Sequence, residues 1–342
     1  MRVAMYYNNR DVRVEEMPRP QIGPGELLVR IEASGICGRD VMEWYRISKA
    51  PLVLGHEIAG EVVAVGEGVT RYREGNRVSV AHHVPCNTCH YCLNDHHTVC
   101  DTLRQTNFDP GGFAEYVRLP AINVDRGVYL LPDEVSFEEG TFTEPLACIL
   151  RGQRMAGIRP GQSVLIIGCG MSGLLHLEMA RAQGAGRILA TDVAEYRLEA
   201  ARRFGADVAI HAQDDIPARV REANRGHLAD RVLVCTGATS AVLQALQCVD
   251  RGGTILFFAP TGPGVTIPIS INEFFFRNDI TLTTSYAGSP ADYTLAVELI
   301  RSRKVRVQEM ITHRLRLAEA SQGFQLVAQA QDSIKVILEP QR

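Results

Sequence analysis

Three groups of residues in this chain have the types and spacing to do chemistry. The first is His56-Glu57, an imidazole beside a carboxylate at the head of the apolar, β-branched run Ile58 to Val65, with Cys37 upstream in Ser34-Gly35-Ile36-Cys37-Gly38-Arg39-Asp40. Thiolate, imidazole and carboxylate are donors that zinc accepts. Taken by itself, His56-Glu57 reads more readily as a solvated strand end. The second group is Cys86, Cys89, Cys92 and Cys100, spaced C-x2-C-x2-C-x7-C. One loop with that spacing can wrap four thiolates around a tetrahedral ion and leave no open position, which describes a structural zinc. Coincidental core thiols or an iron–sulfur ligand set are the other readings, and the spacing departs from the ferredoxin runs. His82, His83, His90, His96 and His97 crowd the same stretch and are expected to be exposed loop residues.

The third group is Gly168-Cys169-Gly170-Met171-Ser172-Gly173, a GxGxxG match. The apolar run Ser163 to Ile167 precedes it, a helical stretch from Leu174 to Gln183 follows, and Asp192 stands 19 residues beyond Gly173, after the run Arg187 to Thr191. In that setting small glycines let a pyrophosphate approach backbone N–H groups at a helix N-terminus, and the acid accepts hydrogen bonds from the adenosine ribose. A 2′-phosphate would face the Asp192 carboxylate, and Val193-Ala194 supply no cation, so NAD is expected rather than NADP. A helix-capping Asp192 is the alternative. Arg197 packs over the adenine or lies on a solvated helix face.

Length and composition frame these groups. A chain of 342 residues exceeds one ordinary core and predicts two domains, and 46% apolar, 22% charged and net charge -3 describe a globular protein. No basic patch points to nucleic acid, and no apolar run nears the roughly 18 residues that span a membrane. Met1 to Met5 show no signal-type apolar region, and four of the nine cysteines cluster, so a cytoplasmic protein with thiolate metal ligands is expected rather than a disulfide-bonded secreted one.

The elements that must position the groups follow from periodicity. Residues 27 to 33 read as a strand delivering Cys37, residues 40 to 46 as a short helix, and residues 60 to 65 as a second strand in a β-rich first region. A helix is predicted over 148 to 162. Beyond it, helices and strands alternate, with strands at 163–167, 187–191, 207–210, 231–234, 254–258 and 280–284, the pattern of a doubly wound parallel sheet. Cys235, Thr236 and Ala259 fall at carboxyl ends of strands, where such sheets bind ligands, as does Ser285 after the last one. A final strand, 334 to 338, is expected to rejoin the first region. No repeat or low-complexity segment interrupts the pattern.

These residues carry a resemblance. The chain resembles a zinc-dependent medium-chain dehydrogenase/reductase of the polyol (sorbitol or L-iditol) dehydrogenase-like branch, which also includes threonine and galactitol-phosphate dehydrogenases. The resemblance covers essentially all 342 residues through Gly55-His56-Glu57-x2-Gly60-x5-Gly66-x2-Val69, the cysteine lobe, Glu144-Pro145 and the fingerprint at 168 to 173. It implies an α/β protein with a partly closed, GroES-like β-rich catalytic domain (1–147 and 289–342, zinc lobe 83–102) and a Rossmann domain (148–288). It implies a catalytic zinc on Cys37, His56 and Glu57, with Glu144 a fourth or exchanging ligand and Asp40 orienting His56. The cofactors are then two zinc ions per chain and NAD, and the activity is hydride transfer between a secondary alcohol and NAD.

Three positions depart from the pattern. Arg39 stands where relatives carry a proton-relaying Ser or Thr; a guanidinium stays protonated and cannot relay. It serves an anionic substrate group, the cofactor pyrophosphate, or only an i,i+4 ion pair with Glu43. Met42-Glu43-Trp44-Tyr45 replaces a substrate-lining segment, so Glu43, Trp44 and Tyr45 are candidate substrate residues. Asn76 replaces the Asp of a turn with no expected chemistry. Tyr286 is a substrate-side candidate or a core aromatic. A polyol, cyclitol or sugar-derivative dehydrogenase is the first reading, with anionic substrates and a non-catalytic NAD-binding relative as the alternatives; a small-molecule substrate and a homodimer or homotetramer paired through an edge strand at 280–286 are expected.

Overall fold

The computed structural model describes residues 1–342, and the chain divides into one compact unit of Met1–Ala147 with Ala287–Arg342 and a second of Cys148–Tyr286. The first unit is built on the strand Leu27–Ile36, which is buried at every position except Arg30 and Glu32. Glu57–Val65 pairs antiparallel with it, and Arg77–Val80 and Val128–Leu130 continue the sheet. On its other side, Tyr116–Leu119 pairs with residues 27–30, whereas Lys335–Glu339 pairs with residues 34–36. Ile311–Arg316 lies outermost, and a small sheet of Asp11–Glu16, Arg2–Asn8 and Leu52–Val53 packs its own apolar face around Tyr6, Phe113 and Phe324.

This register positions the chemistry. Gly35 stands opposite Glu57 on one neighbouring strand and Ile337 on the other. Because paired antiparallel strands run oppositely, the exit of Leu27–Ile36 at Cys37 meets both the entrance of Glu57–Val65 at His56 and the entrance of Lys335–Glu339.

The second unit is a six-stranded parallel sheet in the order Val208–His211, Ile188–Asp192, Val164–Ile167, Ala229–Val234, Val249–Phe257, Thr281–Thr284. The neighbouring strands Val164–Ile167 and Ile188–Asp192 are buried at every position, as a sheet with helices on both faces requires. The first βα turn lies at the point where strand order reverses, the usual ligand crevice of such sheets.

Two expectations are corrected. The helix predicted over 148–162 runs over Thr143–Ala156 and stops because Gly157 takes φ +64°, which an L side chain rarely adopts. Its earlier start places Glu144 in the first turn. The helix predicted over 40–46 is only Glu43–Arg46, followed by a 3-10 turn, so Arg39 precedes it rather than riding on it.

Candidate active site and metal centres

Cys37, His56 and Glu57 bring one ligand atom each to within 4.8 Å of one another. Asp40 ties this corner together. Its Oδ2 accepts the Cys37 N–H at 3.0 Å, and its Oδ1 lies 3.3 Å from both His56 Nδ1 and Arg46 Nη2. The His56 ring is thereby oriented with Nε2 toward the cluster, the arrangement a metal-bound imidazole needs. Burial alone would lower the His56 pKa, but the Asp40 carboxylate and the Cys37 sulfur outweigh it and raise it well above the ordinary value. Asp40 is lowered despite complete burial, because His56 and Arg46 favour its charge.

Glu57 is fully buried, and one carboxylate oxygen accepts from the equally buried Lys335 Nζ while the other, Oε1, has no partner in the protein. Gly35 provides the room, since a Cβ there would come within 2.5 Å of both Glu57 Oε2 and Lys335 Nζ. An enclosed carboxylate oxygen without a donor, beside a thiol and an imidazole, fits a zinc ion and leaves room for a further ligand. Burial raises the Glu57 pKa against the lowering by Lys335. Removing one partner of such a pair leaves the other charge uncompensated. Lys335→Met is therefore expected to cost about 3–5 kcal/mol of stability, most of it restored in Lys335→Met/Glu57→Gln. Denaturant unfolding of both decides, and an equal loss in the two would dismiss the pair as its source.

Glu144 does not join the three-ligand cluster. Its carboxylate lies 3.7 Å from Arg39 Nη2, which also lies 3.3 Å from His56 Nε2. The expected helix-face partner, Glu43, instead accepts the Asn9 N–H at 3.1 Å, so the i,i+4 reading of Arg39 gives way to a place inside the cluster. Trp44 and Tyr45 are 48% and 40% exposed on their short helix.

The cysteine lobe has the dimensions of a metal site. Cys89–Cys92 and Cys100–Cys86 sulfurs lie 3.6 Å apart and Cys86–Cys92 4.0 Å, against about 3.8 Å for the edge of a tetrahedron with Zn–S bonds near 2.3 Å. Backbone N–H groups of Thr88 and Cys89 point at the Cys86 sulfur and hold its pKa down at about 5. Asn87 and Asp95 take left-handed φ to wrap the loop. All nine cysteines are free thiols.

Of the crowded histidines, His90 and His96 are exposed and His97 is half-buried, but His82 is buried and His83 half-buried, which corrects the expectation of exposed loops. The strand Arg77–Val80 delivers them into the cluster, where the His82 and His56 ring centroids are 4.8 Å apart. Burial first, then His83, His56 and Arg39, lower the His82 pKa well below the ordinary value. Sequence reading missed this pair and Lys335. A lone Lys inside the apolar run Ile334 to Leu338 was the available signal.

In the second unit, Gly170 caps the helix Met171–Ala182, and a Cβ on Gly173 would fall 1.9 Å from the Gly168 carbonyl oxygen, so only glycine allows this close turn. Gly168 itself takes φ +95° with Thr236 packed on it. Asp192 accepts the Cys169 N–H at 2.7 Å and the Ala194 N–H at 2.9 Å. Arg197 turns toward the loop, 3.9 Å from Asp192 and from the position a Gly170 Cβ would take, rather than riding a solvated face. Cys235 and Ala259 donate backbone N–H groups to the strand ends at Ile167 and Val234. Ser285 Oγ is buried without a partner, and Tyr286 is 42% exposed, which removes its core reading. The open helix N-terminus, the acid beside it and the bare glycine turn fit a dinucleotide pyrophosphate and ribose.

Two family profiles match: an alcohol dehydrogenase GroES-like domain over residues 23–133 and a zinc-binding dehydrogenase over 173–302. The chain is 31% identical to sorbitol dehydrogenase of Gallus gallus over 339 residues, spanning 96% of this chain and 93% of that protein. It is 33% identical to a probable D-xylulose reductase A of Aspergillus clavatus, with 96% and 93% spanned. Among solved structures, an alcohol dehydrogenase from Thermus sp. ATN1 is similar with TM-score 0.87 and 31% identity, covering 99% of each chain.

Proposed function

The chain belongs to the zinc-binding dehydrogenase family with an alcohol dehydrogenase GroES-like domain, and on that premise we propose that it transfers a hydride between a secondary alcohol of a polyol, cyclitol or sugar derivative and NAD, giving the ketone. The observation that carries this reading is the approach of Cys37, His56 and Glu57 to within one ion's coordination distance. Cys37, His56 and Glu57 would hold the catalytic zinc, with Glu144 beside them as a fourth or exchanging ligand, and Cys86, Cys89, Cys92 and Cys100 would hold the structural one. Bound zinc supplies a Lewis acid that makes a hydroxyl acidic near neutral pH and polarises the ketone in reverse. Asp40 keeps the His56 ring in register, and Lys335 opposes the effect of burial on the Glu57 carboxylate. Gly168, Gly170, Met171, Ser172 and Gly173 take the NAD pyrophosphate, and Asp192 the ribose, with Arg197 over the loop. Cys235, Thr236, Ala259 and Ser285 line the nicotinamide side.

Glu43, Trp44, Tyr45 and Tyr286 are the outer substrate candidates. Arg39 supports a second reading, an anionic substrate, because its guanidinium stands within 3.7 Å of Glu144 inside the cluster. The units Met1–Ala147 with Ala287–Arg342 and Cys148–Tyr286 serve as the zinc-binding and NAD-binding domains. The edge strand Thr281–Thr284, hydrogen-bonded on one side only, is available to pair with a second copy in a homodimer or homotetramer. Nine free thiols suit a reducing cytoplasm, and no helix is long and apolar enough to cross a membrane.

A screen of neutral polyols, inositols, amino alcohols and sugar phosphates, followed at 340 nm with NAD and with NADP, tests this. NAD-linked oxidation of a neutral polyol is expected, with NADP at least ~10-fold poorer because a 2′-phosphate would meet Asp192. Faster turnover of phosphorylated or carboxylated substrates would favour the second reading, and no reduction with any alcohol would reject the enzyme.

A further inference from the structure

His82 is a buried polar ring set among other rings. Its centroid lies 4.8 Å from His56, 3.9 Å from His83 and 6.3 Å from Phe108, and the residue is 6% exposed. Its Nδ1 is enclosed and has no hydrogen-bond partner in the protein. The neighbouring His83 is different, because its Nδ1 lies 2.7 Å from the Thr106 carbonyl oxygen. An apolar ring would pack at position 82 without leaving a polar atom unpaired, and an unpaired buried nitrogen is destabilising. A group from outside the chain can supply the missing partner.

Arg39 also reaches this corner. Arg39 Nη2 lies 3.3 Å from His56 Nε2, the nitrogen that the Asp40 contact leaves for a metal. Two cations exclude each other there, and Arg39 is close enough to bias the charge of both His82 and His83.

We propose that His82 is a specificity-determining residue whose imidazole hydrogen-bonds a hydroxyl on the carbon next to the reacting one, so that the site selects polyhydroxylated alcohols over monohydroxylated ones. The inference rests on the dehydrogenase reading above. Its geometric basis is adjacency, since the ring lies against that of His56, the ligand of the metal that receives the reacting hydroxyl, and its partner therefore belongs to a neighbouring carbon. A site built to hydrogen-bond a substrate hydroxyl discriminates strongly against analogues lacking it, more than an apolar pocket does.

The test compares the parent, His82→Phe and His82→Asn on xylitol and on 2-pentanol with NAD. The ratio of kcat/KM for the polyol to that for the simple alcohol is expected to fall about 10- to 100-fold in His82→Phe and to recover in part in His82→Asn, which restores a donor and an acceptor. Calorimetric titration of xylitol into enzyme saturated with NADH should show the same weakening of binding without any turnover. Zinc content of two per chain and an unchanged unfolding midpoint establish that the variants are intact; a variant failing either check is replaced by His82→Leu, which tests the same lost contact. Equal losses on both alcohols, or an unaltered ratio, would overturn the role of His82 while leaving the dehydrogenase reading in place. A parent that oxidises no alcohol would reject that reading, and the xylitol titration then decides His82 alone: undiminished binding in His82→Phe, or none in the parent, overturns it.

Discussion

Cys37→Ser is expected to lower kcat/KM by at least ~10³-fold and to leave one zinc per chain instead of two. Lewis-acid stabilisation by zinc is worth several kcal/mol in the transition state, and each 1.36 kcal/mol is a factor of about ten in rate. The hydroxyl of serine is a far poorer ligand than a thiolate, so the cluster would retain only His56 and Glu57. Folding should survive, because Cys37 sits at the end of the strand Leu27–Ile36 and its backbone N–H keeps the bond to Asp40. Elemental analysis with steady-state kinetics measures both effects. A Cys37→Ser protein that keeps two zincs and parental activity would remove Cys37 from the metal site.

Cys100→Ser should do the reverse, acting on stability first. Cys100 is 1% exposed and packs with Cys92, Leu103 and Ala287 in a cluster that has little apolar mass of its own. A lobe so small is held together mainly by its ion, and structural zinc sites carry apparent binding free energies on the order of 10 kcal/mol, comparable to the whole stability of a typical domain. Loss of one zinc, a lower thermal midpoint and susceptibility of residues 83–102 to proteolysis are expected, and a chelator should reproduce them in the parent. An unchanged midpoint with two zincs bound would show that the lobe folds without metal. The contrast between the two variants separates the centres, since one loses rate with its fold intact and the other loses the fold on which the rate depends.

Much of the molecule was readable beforehand because some arrangements are local. Four thiols within 15 residues can close on one ion through a loop alone, and Gly168 to Gly173 between a buried strand and a helix can form only a tight phosphate-sized turn. The α/β alternation likewise implied a parallel sheet, since crossover helices leave few other arrangements. Helix boundaries were less legible. The segment predicted at 148–162 moved to Thr143–Ala156 because Gly157, not Gly161, ends it, although both glycines take positive φ.

By itself, then, the sequence determined the donor types, the structural lobe, the dinucleotide turn and the alternation of the second unit, all of which depend on residues a few positions apart. Tertiary structure alone decided the company those donors keep. Lys335 meets Glu57 across 278 positions, His82 turns onto His56, and Arg39 enters the cluster instead of pairing along a helix with Glu43. The physical reason is strand register: pairing Gly35 with Glu57 on one side and with Ile337 on the other converts three distant stretches into one corner. Spacing along the chain constrains geometry only within a loop or a helical turn, whereas a sheet sets neighbours by hydrogen-bond partners whose separation in sequence is arbitrary.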